Sequence, residues 1–285
     1  LMKFTNGHWL MREGIQLSSP AQVRDYEVDP DGVTVYAPCY PIVNRGQTLA
    51  GPLFTIRYSS PIPDVIRVQA WHYMGGNDNG PHPVLNQECG KPVITDEEDA
   101  ITLKSGDTAV RISKQSWNVS FSYKGVVMTQ SELRQMGYLR DREGSSYWRE
   151  QLNLDVGEYV YGFGERFTQF VKNGQAIDTW NEDGGTSSQQ AYKSIPFYFT
   201  NKGYGIYVNQ PENVSFEVAS ENVSKCQFSV PGEYLDYCFI GGNAPKQALE
   251  RYTALTGRPA LPPAWSFGLW LSTSFTTDYD EKTVN

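Results

Sequence analysis

A short loop in the second half of the sequence combines side chains that are typical of carbohydrate binding. Residues 180–185 read Trp-Asn-Glu-Asp-Gly-Gly, so the ring of Trp180 stands next to two carboxylates and two flexible glycines. In sugar sites an aromatic ring packs against the C–H face of the sugar, and carboxylates or amides hydrogen-bond to its hydroxyls. An exposed turn with a partly buried Trp180 explains the same residues. Both interpretations stay open on local sequence alone.

A second segment with unusual spacing lies just before this loop. Residues 161–167 read Tyr-Gly-Phe-Gly-Glu-Arg-Phe, which alternates glycines with rings and ends in a charged pair. Glycines in this pattern permit close backbone approach and a tight turn. A phosphate-binding loop is excluded because no third glycine and no helix follow at the required place. We predict a strand that ends in a salt-bridged turn rather than a binding site.

The histidines and cysteines give little support for metal or nucleophilic chemistry. The three histidines are too scattered for a metal site or a catalytic triad, and no two cysteines stand at a Cys-x-x-Cys interval. These residues are His8, His72, His82, Cys39, Cys89, Cys226 and Cys238. We predict no metal and no cofactor, with structural histidines and four reduced, mostly buried thiols.

The composition restricts the class of protein. Lys+Arg 24 against Asp+Glu 32 gives a net charge of −8 and a pI near 5.0, which argues against electrostatic binding of nucleic acid. No stretch approaches the roughly 20 apolar residues that a membrane span needs. The first eight residues contain no sustained apolar region and no cleavage site of a secretory signal. We therefore expect a cytoplasmic protein that binds neither nucleic acid nor membrane.

Alternating apolar and polar residues recur along most of the chain and predict half-buried strands. Apolar residues occupy every second position in 54–58, 66–70, 110–112, 117–123, 216–218 and 226–230. Turn residues such as Pro30-Asp31-Gly32 and Ser105-Gly106-Asp107 stand between them. The sequence predicts a mainly β fold over residues 1–241, an antiparallel β-sandwich.

A helix and a linker are expected to follow the sandwich. Ala248, Leu249, Tyr252 and Leu255 recur at helical spacing between Pro245 and Leu255. The glycine and proline that come next, at positions 257 and 259, are typical of a helix end. We assign residues 242–262 to this helix and a proline-rich linker.

The final segment has the pattern of a βα unit. The apolar run from Trp265 to Leu271 predicts a buried strand, and the segment Asp278-Tyr279-Asp280-Glu281 predicts an acidic start of a helix. A buried strand of this kind needs parallel neighbours that the sequence does not supply. We therefore interpret residues 263–285 as the start of a (β/α)8 barrel and the chain as the front of a longer protein.

Four motifs in this order resemble glycoside hydrolase family 31, and especially its bacterial α-xylosidases. They are residues 161–167 and 179–185, Ile-Pro-Phe-Tyr at 195–198, and Gly-Arg-Pro-Ala-Leu-Pro-Pro-Ala-Trp-Ser-Phe-Gly-Leu-Trp at 257–270. The resemblance extends over essentially the whole chain from Met2. It implies that the sandwich is of the galactose-mutarotase type and that the barrel carries the chemistry.

The resemblance also implies a reaction and three substrate-binding residues. The family hydrolyses α-glycosides with retention, using an attacking aspartate and a second carboxyl as acid. Both would lie on barrel strands beyond Asn285, so we assign no catalytic residue in this sequence. Neither Glu165 nor Asp183 is assigned as the nucleophile or the acid. Asp183 matches an acid that helps bind the non-reducing sugar, with Trp180 as a wall of the same pocket.

Phe275 matches a position that faces the sugar pocket at the mouth of the barrel. A ring there would crowd the hydroxymethyl group of a glucose and so favour a pentose. The alternative is that Phe275 merely plugs the barrel mouth.

The leading hypothesis is the N-terminal part of an α-xylosidase that releases non-reducing-end α-xylose from xyloglucan-type oligosaccharides. Such a chain is expected to be inactive alone, and the full-length protein is expected to be a homo-oligomer. An α-glucosidase of the same family and a non-catalytic carbohydrate-binding sandwich are the alternatives. A free-standing mutarotase is a further one, with His72, His82 and Glu165 as its nominal proton-transfer groups.

Overall fold

Extended backbone dominates the chain, as the alternating pattern predicts. A computed structural model describes residues 2–7, 10–75, 81–88, 90–182 and 188–270. Within these residues the strands are β1 (Gln16–Ser18), β2 (Asp25–Asp29), β3 (Gly32–Pro38), β4 (Leu53–Ser59), β5 (Val65–Trp71), β6 (Val93–Asp96), β7 (Ala100–Ser105), β8 (Thr108–Ser113), β9 (Val119–Tyr123), β10 (Val126–Ser131), β11 (Gly137–Arg140), β12 (Ser146–Asn153), β13 (Val160–Gly164), β14 (Gln175–Asp178), β15 (Ser194–Thr200), β16 (Gly205–Val208), β17 (Ser215–Val218), β18 (Lys225–Pro231) and β19 (Tyr234–Ile240). The helical elements are α1 (Pro245–Thr256) and two short 3-10 segments, Arg45–Leu49 and Ala264–Phe267.

The strands form three sheets in which every ladder is antiparallel. The largest has eight strands in the order β13-β15-β16-β19-β5-β4-β3-β2. The second has six, β1-β11-β12-β18-β17-β14, and the third has five, β10-β9-β8-β7-β6. This arrangement confirms the prediction of a mainly β, antiparallel fold.

One apolar core is shared by all three sheets. Phe54 from the eight-stranded sheet packs edge-on against Trp148 of the six-stranded sheet, with ring centroids 5.0 Å apart. Phe121 of the five-stranded sheet stacks on Phe239 at 4.8 Å. All four side chains are fully buried, as the alternating pattern predicts for residues 54 and 121. Burial of such one-sided strands against each other is what makes this sequence a sandwich.

Helix α1 covers the outer face of the eight-stranded sheet, where Ala248 and Leu255 are fully buried. Tyr252 stacks on Phe197 with ring centroids 4.1 Å apart and planes at 11°. Leu249, predicted on the same face, is instead 49% exposed. It follows Ala248 directly and is therefore turned by about 100° around the helix axis. The helix ends as predicted at Gly257, which has a φ of +115° and whose N–H bonds to the carbonyl of Thr253.

The prediction of a buried strand from Trp265 to Leu271 is wrong for the described residues 265–270. Residues Ala264–Phe267 form a 3-10 turn, and the large side chains after it are 70–91% exposed. A barrel strand is held by hydrogen bonds to parallel neighbours, and no described residue pairs with this segment. The predicted helix start at 278–281 lies outside the described residues, and the domain boundaries at 241 and 262 stay predictions.

Candidate functional site

The turn after β13 depends on two glycines, as the spacing in residues 161–167 predicted. Gly162, Phe163 and Gly164 have φ values of +120°, +69° and +85°, and the ladder with β15 is interrupted between the two glycines. A Cβ on Gly164 would lie 2.1 Å from the carbonyl oxygen of Lys193. Only glycine allows this approach of the two backbones. The turn brings Arg166 next to the loop that carries Trp180.

Arg166 joins these two motifs through main-chain oxygens. Its Nε donates to the carbonyl of Phe163 at 3.1 Å, and its Nη2 donates to the carbonyl of Asp178 at 2.8 Å and to Oγ of Ser194 at 2.9 Å. Nη1 reaches the carbonyl of Gln189 at 3.3 Å. Burial lowers the pKa of Arg166, while the charge of Asp178 opposes this effect. The guanidinium therefore fixes both ends of the 179–189 segment to the sheet.

The turn contains a salt bridge, as predicted, and the partner of Glu165 is Lys193, which directly precedes β15. Glu165 and Lys193 approach to 3.6 Å, and both side chains are largely exposed. The N–H of Glu165 also bonds to the carbonyl of Lys193 at 3.0 Å. An exposed pair of this kind adds little stability. It is the interior hydrogen bonds of Arg166 that hold the turn.

Backbone contacts hold the first part of the Trp180 loop, and they leave the Trp180 ring free. The carbonyl of Trp180 accepts from Oγ of Ser194 at 3.1 Å, and Oδ1 of Asn181 accepts from the N–H of Ser194 at 2.7 Å. Glu182 bonds through its N–H to the carbonyl of Ala191 at 3.0 Å. The Trp180 side chain is 54% exposed. The loop is thus fixed to the sheet while its ring faces outward.

A cleft of about 260 Å³ lies beside this ring. Trp180 and Asn181 form part of one wall, and Gln210, Pro211 and Glu212 form part of another. A ring face, an amide and a carboxylate around one cleft are the groups that bind sugar hydroxyls and C–H faces. Gln210 and Glu212 were missed by the sequence analysis because they stand in an ordinary turn between β16 and β17. Only the folded sheet brings that turn next to Trp180.

The three predicted substrate-binding residues have different outcomes. Trp180 is exposed and borders the cleft, as an aromatic platform requires. Asp183 and Phe275 lie outside the described residues. A sugar contact of any of the three stays a prediction.

The nominal mutarotase groups are not brought together. Nδ1 of His72 lies 2.5 Å from a carboxylate oxygen of Glu233, and the His72 ring stacks on Tyr138 at 3.9 Å. Glu165 follows β13 and His72 follows β5, which is four strands away, or roughly 19 Å at the usual strand spacing. His82 lies against the ring of Tyr234. The arrangement that proton transfer at an anomeric centre needs is therefore not formed by these three residues.

The described residues provide neither a reactive thiol nor a metal site. Cys39, Cys226 and Cys238 are free, and burial raises the pKa of Cys226 to about 12 and that of Cys39 to about 11. These thiols stay protonated and unreactive near neutral pH. Across the described ranges, no group of three or more His, Cys, Asp or Glu side chains lies close enough to hold a metal ion. In the same ranges no helix combines the length and the apolar character of a membrane span.

Comparison with known proteins gives the context of this cleft. Residues 55–217 match the family described as the glycosyl hydrolase 31 N-terminal galactose mutarotase-like domain. The α-xylosidase XylQ of Lactiplantibacillus pentosus is 46% identical over 99% of this chain, and an α-xylosidase of Emericella nidulans is 43% identical over 99%. The chain spans 37% and 39% of the length of these two relatives.

The fold is also found in solved structures. A cycloalternan-forming enzyme from Listeria monocytogenes, solved with a pentasaccharide substrate, superposes with a TM-score of 0.75 at 20% identity. The superposition covers 90% of this chain and 24% of the enzyme. At this identity the likeness concerns the fold alone. The family match over more than half of the chain and the two relatives above 40% identity show that this chain belongs to glycoside hydrolase family 31 and contains its N-terminal galactose mutarotase-like domain.

Proposed function

We propose that this chain is the N-terminal part of a retaining α-xylosidase that releases α-xylose from the non-reducing ends of xyloglucan-type oligosaccharides. The observation that carries the proposal is the identity of 46% and 43% to two α-xylosidases over 99% of the chain. In this proposal the nucleophile and the acid belong to a (β/α)8 barrel that follows the sandwich. The chain by itself binds part of the sugar and does not hydrolyse it.

The Trp180 loop supplies the sandwich's share of the sugar pocket. The exposed ring of Trp180 packs on the C–H face of the sugar, and Asp183 accepts hydrogen bonds from its hydroxyls. Arg166 positions the loop through its bonds to both ends of it. Phe275 limits the room at the C5 substituent and thereby favours xylose over glucose. The exposed cleft between Trp180 and Glu212 supports this arrangement.

The reaction assigned to the whole protein is a double displacement. A carboxylate attacks the anomeric carbon while an acid protonates the leaving oxygen, and water then hydrolyses the glycosyl-enzyme with retention. The residues of the sandwich hold the non-reducing sugar in place during both steps. Loss of such a contact lowers the rate because the reacting atoms are no longer aligned.

The remaining parts of the proposal concern assembly and location. We assign the whole protein to the cytoplasm, which is supported by the free thiols at Cys39, Cys226 and Cys238. We also assign it to a homo-oligomer, which rests on the family resemblance alone. Sedimentation of the whole protein tests the second point.

The test compares the whole protein that carries this chain with the chain alone. Nitrophenol release is measured from the α-xyloside and from the α-glucoside. A xyloside preference of the whole protein, with no turnover by the chain, is the expected result. A glucoside preference would make the protein an α-glucosidase, and turnover by the isolated chain would overturn the placement of the catalytic carboxylates.

The contribution of the loop is tested by Trp180→Ala in the whole protein. Loss of the ring is expected to reduce kcat/KM for the xyloside by about tenfold or more, since stacking and orientation are lost together. Tyr73→Ala is the matched control, because Tyr73 is also an exposed aromatic at 63% but does not border the cleft. Equal activity of the two variants would remove Trp180 from the proposed pocket.

A further inference from the structure

A second cavity, of about 380 Å³, lies on the outer face of the six-stranded sheet. Its floor is a polar row across three strands, in which Gln151 of β12 is paired with Gln227 of β18 and Gln227 with Glu217 of β17. The side chains continue the row through hydrogen bonds. Gln151 Nε2 donates to Gln227 Oε1 at 2.8 Å, and Gln227 Nε2 donates to Glu217 Oε2 at 3.1 Å.

The N-terminal segment crosses this face, where Gln227 and Glu217 of the row are buried. The N–H of Met2 donates to Oγ of Ser215 at 2.8 Å, and Oγ1 of Thr5 donates to a carboxylate oxygen of Glu221 at 2.8 Å. Lys3 pairs with Glu221 at 3.0 Å. As a result Glu217 is only 3% exposed, although it points away from the apolar core. An outer sheet face of this kind is normally solvated.

Two charged side chains in the cavity have polar atoms without a partner. Arg149 is 5% exposed and donates through Nη2 to the carbonyl of Arg134 at 3.1 Å, but its Nε bonds to nothing among the described residues. Oε1 of Glu217 is likewise without a partner there. Burial raises the pKa of Glu217 to about 7 and lowers that of Arg149 to about 10. A buried polar atom that is not hydrogen-bonded costs free energy, so both atoms favour a ligand.

The chemistry of these two atoms selects the class of ligand. Arg149 offers a donor and Glu217 offers an acceptor, and the described ion pairs do not include one between them. Arg134, Lys225 and Glu221 also line the cavity, so its charges are mixed and select neither an anion nor a cation. A hydroxyl both donates and accepts, so neighbouring hydroxyls of one neutral molecule satisfy both groups. Met11, Leu17 and Leu133 supply apolar surface for a C–H face.

We propose that this cavity is a second carbohydrate-binding site, in which one monosaccharide unit places its hydroxyls between Arg149 and Glu217. Its volume lies within the range of about 300–1,000 Å³ that small-molecule sites occupy. The cavity shares no lining residue with the cleft beside Trp180. The proposal therefore does not depend on the xylosidase assignment and extends to any neutral pyranose unit, free or at the end of an oligosaccharide.

The test is titration of the ¹⁵N-labelled full chain with D-xylose and with D-glucose, followed through the Nε–H resonance of Arg149. We expect saturable shifts of this resonance at millimolar sugar. Inorganic phosphate at the same ionic strength is expected to produce no saturable shift. Saturation by phosphate but not by either sugar would overturn the proposal in favour of an anion site, and no saturation by any probe would overturn it altogether.

Variants separate this site from the Trp180 cleft. Glu217→Gln is expected to weaken sugar binding at least tenfold, while Trp180→Ala leaves the shift of the Arg149 resonance unchanged. Leu133→Trp, at a half-exposed position on the cavity wall, blocks the cavity without touching the buried row and is expected to abolish the shift. Unaltered binding in both Glu217→Gln and Leu133→Trp would contradict the assignment. Loss of binding in Trp180→Ala alone would place the sugar at the first cleft instead.

Discussion

At the scale of single residues, Arg166 is the side chain on which the geometry of the Trp180 loop depends. Replacement of Arg166 by lysine keeps the charge but cannot supply donors to the carbonyls of Phe163 and Asp178 and to Ser194 together. We expect Arg166→Lys to lower the free energy of unfolding by about 1–3 kcal/mol, because acceptors in a half-buried position lose their partner. Urea unfolding measures the change.

The neighbouring Glu165 is the matched control for this prediction. Its pair with Lys193 is exposed, so Glu165→Gln is expected to change stability by no more than about 0.5 kcal/mol. If Arg166→Lys proves as mild as Glu165→Gln, the guanidinium does not hold the loop. In the whole protein, Arg166→Lys is further expected to raise KM for the xyloside more than it lowers kcat.

Glu150 is a residue for which the fold predicts a pH dependence. It is fully buried and accepts hydrogen bonds from Ser131 and Tyr237 and from the N–H of Gln151. Burial raises its pKa from 4.5 to about 7, against the effect of these donors. Between these two values the native state binds a proton that the unfolded chain has released. The contribution of Glu150 to the free energy of unfolding therefore falls as the pH rises from about 5 through 7.

Glu150→Gln removes this contribution because the amide does not titrate. Relative to the parent, the variant is expected to gain about 2.5 kcal/mol between pH 5 and pH 8, which is most of the free energy that a shift of this size represents. Urea unfolding over that pH range measures the difference, and Glu217, whose pKa is also raised to about 7, contributes equally to both proteins. Parallel stability curves for parent and variant would show that Glu150 ionises normally in the folded state.

At the scale of elements, the turn after β13 depends on backbone approach rather than on side chains. Gly164→Ala places a Cβ 2.1 Å from the carbonyl of Lys193 at a φ of +85°. We expect a loss of more than about 2 kcal/mol, since both strands must move apart. Gly174 also has a φ of +85° but has open space around it, so Gly174→Ala isolates the backbone cost of about 1 kcal/mol. Similar melting temperatures for the two variants would contradict the close approach.

The elements show which parts of the fold could be predicted from the sequence. Strands such as β4 and β8 were predictable because alternation depends only on one buried and one less buried face. Helix α1 was predictable in its extent, but not in the exposure of Leu249, because the sheet beneath it contacts only a narrow stripe. The prediction of a buried strand at residues 265–270 was wrong because it depended on contacts outside the segment. Its apolar character predicts burial, but burial requires partner strands that local sequence does not reveal.

At the scale of the whole molecule, long-range contacts decide what the sequence analysis missed. The row of Gln151, Gln227 and Glu217 has the polar character of a solvated sheet face, yet the N-terminal segment crosses the sheet and Gln227 and Glu217 are buried. Glu212 likewise borders the cleft only because the β16–β17 turn folds next to Trp180. In both cases residues distant in sequence supply the environment. Trp180 and the glycine turn were predictable because the spacing of their residues is local.

The exposed segment after the helix leads to a prediction about association of the whole chain. Leu261, Trp265, Phe267, Leu269 and Trp270 are 70–96% exposed and form a run of large apolar side chains. Apolar surface of this extent promotes association of one chain with another. A chain that ends at Leu261 is therefore expected to be more soluble and to sediment as a smaller species than the 285-residue chain.

A variant of the 285-residue chain shows whether association depends on the apolar side chains or on the length of the chain. Replacing Trp265, Phe267, Leu269 and Trp270 by serine keeps the backbone and removes most of the apolar surface. We expect this variant to sediment like the shortened chain, because the side chains rather than the segment itself drive association. If the shortened chain is equally or less soluble than the parent, the surface that associates lies elsewhere, and the boundary near residue 262 loses its support. If only the shortened chain improves, residues outside these four are responsible.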